Sequence, residues 1–89
     1  MSLLEDIQRK VIESLKAGDR DRAASLRVLV SELQGAAKEA RHPLSEAEEL
    51  QVLRRERKKR LESAEAFRSG GRPELAEKEE WILALINDM

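Results

Sequence analysis

The chain has 89 residues, 17 of them lysine or arginine and 18 aspartate or glutamate, for a net charge of −1, and it contains no cysteine. These values predict one domain across residues 1–89 with a modest core, and they exclude a disulfide frame and thiolate chemistry. They also remove net charge as a source of general nucleic-acid affinity. Charged residues make up 39% of the chain and apolar residues 40%, with 4 glycines and 2 prolines. That mixture suits amphipathic helices.

Four helical segments can be read in order, with no repeat and no strand-like alternation, so the expected fold is all-α: a small bundle of four helices with a long third helix as its spine. The first runs from about Leu3 to Ala17. Ser2 and Glu5 form a capping-box pattern, Leu4, Ile7, Val11 and Leu15 make its apolar stripe with Leu3 and Ile12 beside it, and Gly18 suits the left-handed position after its end. The second starts near Asp19 or Asp21, carries Leu26, Leu29, Val30, Leu33 and Ala37 on one side, and ends at His42-Pro43. Gly35 inside it costs about 1 kcal/mol relative to alanine, a cost that a close helix contact would explain.

The third helix opens with Ser45 and Glu48, a second capping box, and continues to about Ser69, where Gly70-Gly71 stops it. The fourth opens at Pro73, with Glu74 and Glu77 near its positive end and Leu75, Ile82 and Ile86 on its inner side. No apolar run reaches the ~18 residues of a membrane span. The opening MSLLEDIQRK carries acids early and has no unbroken apolar centre, so it predicts no signal peptide. The lack of cysteine fits a reducing, cytoplasmic setting.

Charge is unevenly spread. Residues 1–44 hold 8 basic and 7 acidic groups, residues 45–72 hold 8 and 6, and residues 73–89 hold 1 and 5. The basic centre is RRERKKR, Arg54 to Arg60. On a helical wheel its cations surround the helix, while Leu50, Leu53, Leu61 and Ala64 centre about 300° round from Arg54. Arg57 falls inside that apolar sector and Arg60 beside it. Both then need partners, because an unpaired buried charge costs several kcal/mol. Glu79, on the apolar side of the fourth helix, and Glu32, on the second, are the candidates for a structural ion network with Arg57 and Arg60. A ligand pocket is the other reading of the same residues. Arg54, Arg55, Lys58 and Lys59 fall on the solvent side. They form either a solvated face tied by Glu56–Lys59 and Lys58–Glu62 pairs, or a phosphate-contacting patch with steep salt dependence.

No catalytic constellation is visible. Glutamine hydrolysis needs an activated cysteine or serine; there is no cysteine, and none of the serines lies in a nucleophile motif. His42 is the only histidine and precedes a proline, so it reads as a turn residue. One histidine and no cysteine predict no transition-metal site, and no cofactor motif is present. With Phe67 and Trp81 as its only aromatics, the chain lacks a base-stacking platform, so any RNA would be held through phosphates and shape.

The order and spacing of several segments resemble the N-terminal helical domain of the YqeY family, which is related to a C-terminal region in the B subunit of tRNA-dependent amidotransferases. The resemblance runs from Leu3 to about Ile86. Its marks are Lys16-Ala17-Gly18-Asp19, Leu26-Arg27-Val28-Leu29, Leu44-Ser45-Glu46-Ala47-Glu48, Arg60 with Ser63 and Phe67, and Gly71-Arg72-Pro73-Glu74-Leu75 followed by Glu79. Two departures stand out. Ile82 occupies a position where the family often has a second glutamate. The chain also stops at Met89, before the Tyr-Leu-Pro-like turn into a second small helical domain.

The resemblance implies a GatB/YqeY-type accessory domain associated with tRNA, under a family label of carbon–nitrogen ligation with glutamine as nitrogen donor. The tRNA association belongs to the related region of the amidotransferase, apart from the chemical step. The leading expectation is therefore a non-catalytic helical domain that binds tRNA or a tRNA-handling complex. The alternative is a protein-interaction module or homo-oligomer without an RNA role. Trp81 and Leu85 lie about 100–140° from the fourth helix's main stripe. They are either extra packing or a docking face for a second protein or the chain's own C-terminal domain.

Overall fold

The structure, a computed structural model, describes residues 2–89. Four helices follow one another: α1 (Leu3–Lys16), α2 (Arg20–Ala40), α3 (Glu46–Ser69) and α4 (Pro73–Asn87). Local chemistry fixes the ends. Ser2 Oγ accepts from the Glu5 N–H at 3.1 Å, and the Ser2 N–H donates to the Glu5 carboxylate at 3.4 Å. Ser45 and Glu48 repeat the exchange at 3.2 and 2.9 Å. Hydrogen bonding from the Ser45 backbone N–H, and then from its hydroxyl, holds the Glu48 carboxyl below its ordinary value. Asp19, rather than Asp21, caps α2 by accepting from the Arg22 N–H at 3.1 Å. Gly18 closes α1 in the left-handed region at φ +76°, and the Asp19 N–H returns to the Ser14 carbonyl at 2.9 Å. α2 ends just before the expected His42-Pro43 boundary, at Arg41, which takes φ +63°.

The short connections make two hairpins, α1 against α2 and α3 against α4, held together chiefly by α2 lying on α4 and α3. α3 is the longest helix, as its caps predict, but the centre of the core belongs to α2. Leu26, Leu29 and Leu33 of α2, with Ile7 of α1, are the largest fully buried side chains. Each stabilises the fold by roughly 1.5–3 kcal/mol. Val11, Val52, Leu53, Ile82, Leu85 and Ile86 complete the cluster.

Three expectations change. Ile12 and Leu15 are exposed, so the buried side of α1 is the narrower strip of Ile7, Val11 and Ser14. A Cβ on Gly35 would meet no atom within 4 Å, so no close helix contact accounts for that glycine. In α3 the inward direction differs most. Leu50 and Leu61 are about half exposed, while Glu49, Val52, Leu53, Glu56 and Ala64 are buried. With Arg54 as the origin, the buried arc centres near 220°, a rotation of about 80° from the leucine-based expectation.

Glu49 explains part of that rotation. Its side chain accepts from the Leu3 N–H at 3.1 Å and the Leu4 N–H at 3.0 Å. These are first-turn donors of α1 that have no partner within their own helix. Glu49 is 2% exposed, and an anion in this place also meets the positive end of the α1 dipole. One side chain thus docks the start of α1 on the start of α3.

Candidate functional site

The rotation of α3 sorts the cations of Arg54–Arg60. Arg60 turns inward. Its Nε donates to Glu56 at 3.1 Å and its Nη1 to Glu79 at 3.0 Å, linking α3 to α4. The three side chains retain 15%, 6% and 15% of their exposure for Arg60, Glu56 and Glu79. Burial alone would lower the Arg60 pKa; the bonds to Glu79 and Glu56 outweigh it and hold the guanidinium above its ordinary value. Burial, then the nearby Glu32 carboxylate on α2, raise Glu56, and Arg60 opposes them. Glu32 therefore stands beside Glu56 as a like charge, and it makes no ion pair with Arg60 or Arg57 among the described residues.

Arg57 does not enter the network. It is exposed, because the leucines that flank it on the wheel, Leu50 and Leu61, are themselves on the outer side. It joins Arg54, Arg55, Lys58 and Lys59, all exposed. Among the described residues Arg54, Arg55, Arg57 and Lys58 form no salt bridge, and the Lys58–Glu62 pair is absent. Lys59 leans to Glu56 at 3.8 Å, and Arg55 stands at a cleft lined by Glu32, Glu39 and Glu56. Arg54 and Lys58 lie within about 45° of the outward pole of α3, and Arg57 lies about 100° from it. The face is a short ridge of unneutralised cations on a rigid, continuous helix.

The second candidate surface lies at the other end of the α2–α4 contact. Leu85 is buried and belongs to the core, whereas Trp81 is 40% exposed. The expected pairing of the two as one exposed face fails because α4 packs against both α3 and α2, which widens its buried arc to include Leu85. Trp81 forms one wall of a groove of about 320 Å³ between the start of α2 and the end of α4.

His42 is exposed at the α2–α3 turn, with Nδ1 2.8 Å from the Pro43 carbonyl. Among the described residues no three histidine, aspartate or glutamate side chains are placed to hold a metal ion, and no helix is long and apolar enough to cross a membrane.

Sequence reasoning misses Glu49, and it places Glu56 only in a surface pair with Lys59, not as a buried partner of Arg60. The only signal for them is positional: with Val52 and Arg60 they fall on one stripe of α3 at seven- and four-residue steps.

An all-α domain of two hairpins, the second of them held by an Arg60–Glu79 pair, is the class of fold these features define. The model of the YqeY-like protein family matches residues 4–89, and the chain belongs to that family. It is also similar to an uncharacterized protein of Schizosaccharomyces pombe, with 38% identity over 74 residues that cover 83% of this chain and 60% of that protein. The matched region thus spans about three fifths of that relative's length.

Proposed function

We propose that this YqeY-family chain is a non-catalytic helical accessory domain that binds tRNA, alone or within a tRNA-handling complex, through the outer face of α3. The observation that carries the reading is the ridge of Arg54, Arg57 and Lys58. These three cations are exposed and make no ion pair among the described residues. Arg54 and Arg57 have no acidic residue three or four positions away on α3, and Lys58 makes no pair with Glu62 among the described residues, so their charge is left open to a partner. Arg55 and Lys59 flank the ridge but face acidic neighbours, and they contribute less. Double-stranded RNA is read by phosphate and shape, and a rigid helix with cations on adjacent turns fits that task without aromatic platforms. The tRNA assignment itself comes from the family's relation to the amidotransferase B subunit. For the carbon–nitrogen ligase label the chain offers no cysteine and no serine in a nucleophile motif.

The test is tRNA binding across a salt series. Three to four phosphate contacts predict an affinity loss of about 40- to 150-fold between about 50 and about 200 mM salt. Arg54→Glu with Lys58→Glu should abolish most binding and flatten the slope while leaving helicity unchanged. No binding at the low-salt end, or binding indifferent to that double reversal, overturns the reading.

A further inference from the structure

We infer that the groove between the start of α2 and the end of α4 is a docking site for a basic amphipathic segment of a partner protein, separate from the RNA face and independent of that assignment. The groove has an apolar interior and an acidic rim. Leu85 is 7% exposed and forms the floor with Ala84, while Trp81 is 40% exposed and forms a wall. A half-open indole is costly to leave in water and is well suited to interfaces, because it offers a large apolar face and a hydrogen-bonding edge. The rim carries Asp19, Asp21 and Asp88 against a single cation, Arg22. Asp19 is engaged as the α2 cap, but Asp21 and Asp88 make no ion pair among the described residues.

Charge complementarity selects the occupant. Three carboxylates against one guanidinium line the groove, Asp88 being the acidic residue of 73–89 that reaches it, while Glu79 and Glu80 are paired with Arg60 and Arg68. The last carbonyls of α4 add the negative end of a helix dipole, and Asp19 and Asp21 offset the positive end of α2. A partner with one or two apolar side chains for the floor and flanking lysines or arginines for Asp21 and Asp88 meets every exposed feature. One of those cations can also lie against the Trp81 ring, whose face attracts positive charge. The volume, about 320 Å³, is near the lower end for ligand sites and holds a few side chains rather than a whole helix. The remainder of the partner would lie on the rim. A nucleic acid is disfavoured here by the same carboxylates.

Trp81 is the only tryptophan in the chain, so its fluorescence reports on this groove alone. The probe is an amphipathic peptide of about 14 residues, roughly four helical turns, with leucine on one side and lysine and arginine on the other. The controls are the same peptide with glutamate in place of the cations and a scrambled version of the basic one. We expect a saturable blue shift of Trp81 emission with the basic peptide, none with the acidic one, and at least tenfold weaker binding of the scrambled one. Asp21→Lys with Asp88→Lys should weaken binding tenfold or more without loss of helicity. Arg54→Glu with Lys58→Glu should leave it unchanged, which separates this site from the RNA face. An unshifted emission, equal binding of the scrambled peptide, or binding unaffected by the aspartate reversals overturns the inference. An emission shift that follows protein concentration without peptide would assign the groove to a second copy of the chain and overturn it as well.

Discussion

Arg60 of α3 and Glu79 of α4 meet at 3.0 Å across the second hairpin, nineteen residues apart in sequence. The same guanidinium holds Glu56 at 3.1 Å, so its loss leaves two partly buried carboxylates facing each other. Arg60→Ala is expected to destabilise the fold by about 3 kcal/mol, the scale for breaking a buried pair from one side. Arg60→Lys should recover little, because one ammonium cannot reproduce two directed guanidinium bonds. Urea unfolding midpoints of the three proteins check this; a midpoint for Arg60→Ala close to the parent's would contradict it.

Glu56 gives the fold a pH dependence. Burial and then Glu32 raise its carboxyl above the ordinary 4.5. A carboxyl raised on folding stabilises the native state while protonated. Its contribution is complete below the unfolded value and is lost as pH climbs through the folded one. Glu32→Gln removes the like charge, so the variant should melt about 2–4 °C above the parent at neutral pH, for a repulsion of about 0.5 kcal/mol. The difference should shrink as pH falls and the raised Glu56 carboxyl takes up its proton, which removes the repulsion. Equal melting temperatures at pH 7 would show that Glu32 does not act on Glu56.

Gly35 lies in the interior of α2 with open space around the position of a Cβ. Gly35→Ala should therefore stabilise the protein by about 1 kcal/mol, the difference in helix propensity. Thermal melting measures it. A loss of stability would mean that the site tolerates no methyl group despite its open surroundings.

Removing the Glu49 carboxylate should be costly for a surface-like residue type. Glu49→Ala strands two first-turn N–H groups of α1 in a nearly dry place, with an expected loss of about 2–3 kcal/mol. Glu49→Gln keeps one acceptor and should lose about half as much. Amide hydrogen exchange at Leu3 and Leu4 should accelerate in both variants before that of the α2 core residues does.

Most of the helix boundaries were readable because they are set by local chemistry: Ser2 with Glu5, Ser45 with Glu48, Gly18, and Pro73 at the first position of α4. The stripes of α2 and α4 were readable for the same reason that Leu26, Leu29, Leu33, Ile82 and Ile86 are buried, since apolar side chains there recur at helical spacing. α3 resisted this logic. Its inner side carries Glu49, Glu56 and Arg60 among only a few apolar groups, so counting leucines placed Leu50 and Leu61 inside and carried Arg57 with them. Carboxylates satisfied by a distant helix look identical in sequence to solvated ones. The Arg60–Glu79 contact was anticipated because both residues bordered apolar faces. The Glu49 bonds to Leu3 and Leu4 had no such signal, since they join segments 46 and 45 residues apart.

That long-range clasp makes the halves of the molecule mutually dependent. The amino end of the first hairpin is completed by a side chain the second hairpin supplies, so neither half carries all the groups it needs. Nicking the exposed turn at His42 and Pro43 would yield two fragments that are frayed when separated. Mixed together, they should reassemble, with Leu3 and Leu4 regaining protection only when the fragment bearing Glu49 is present.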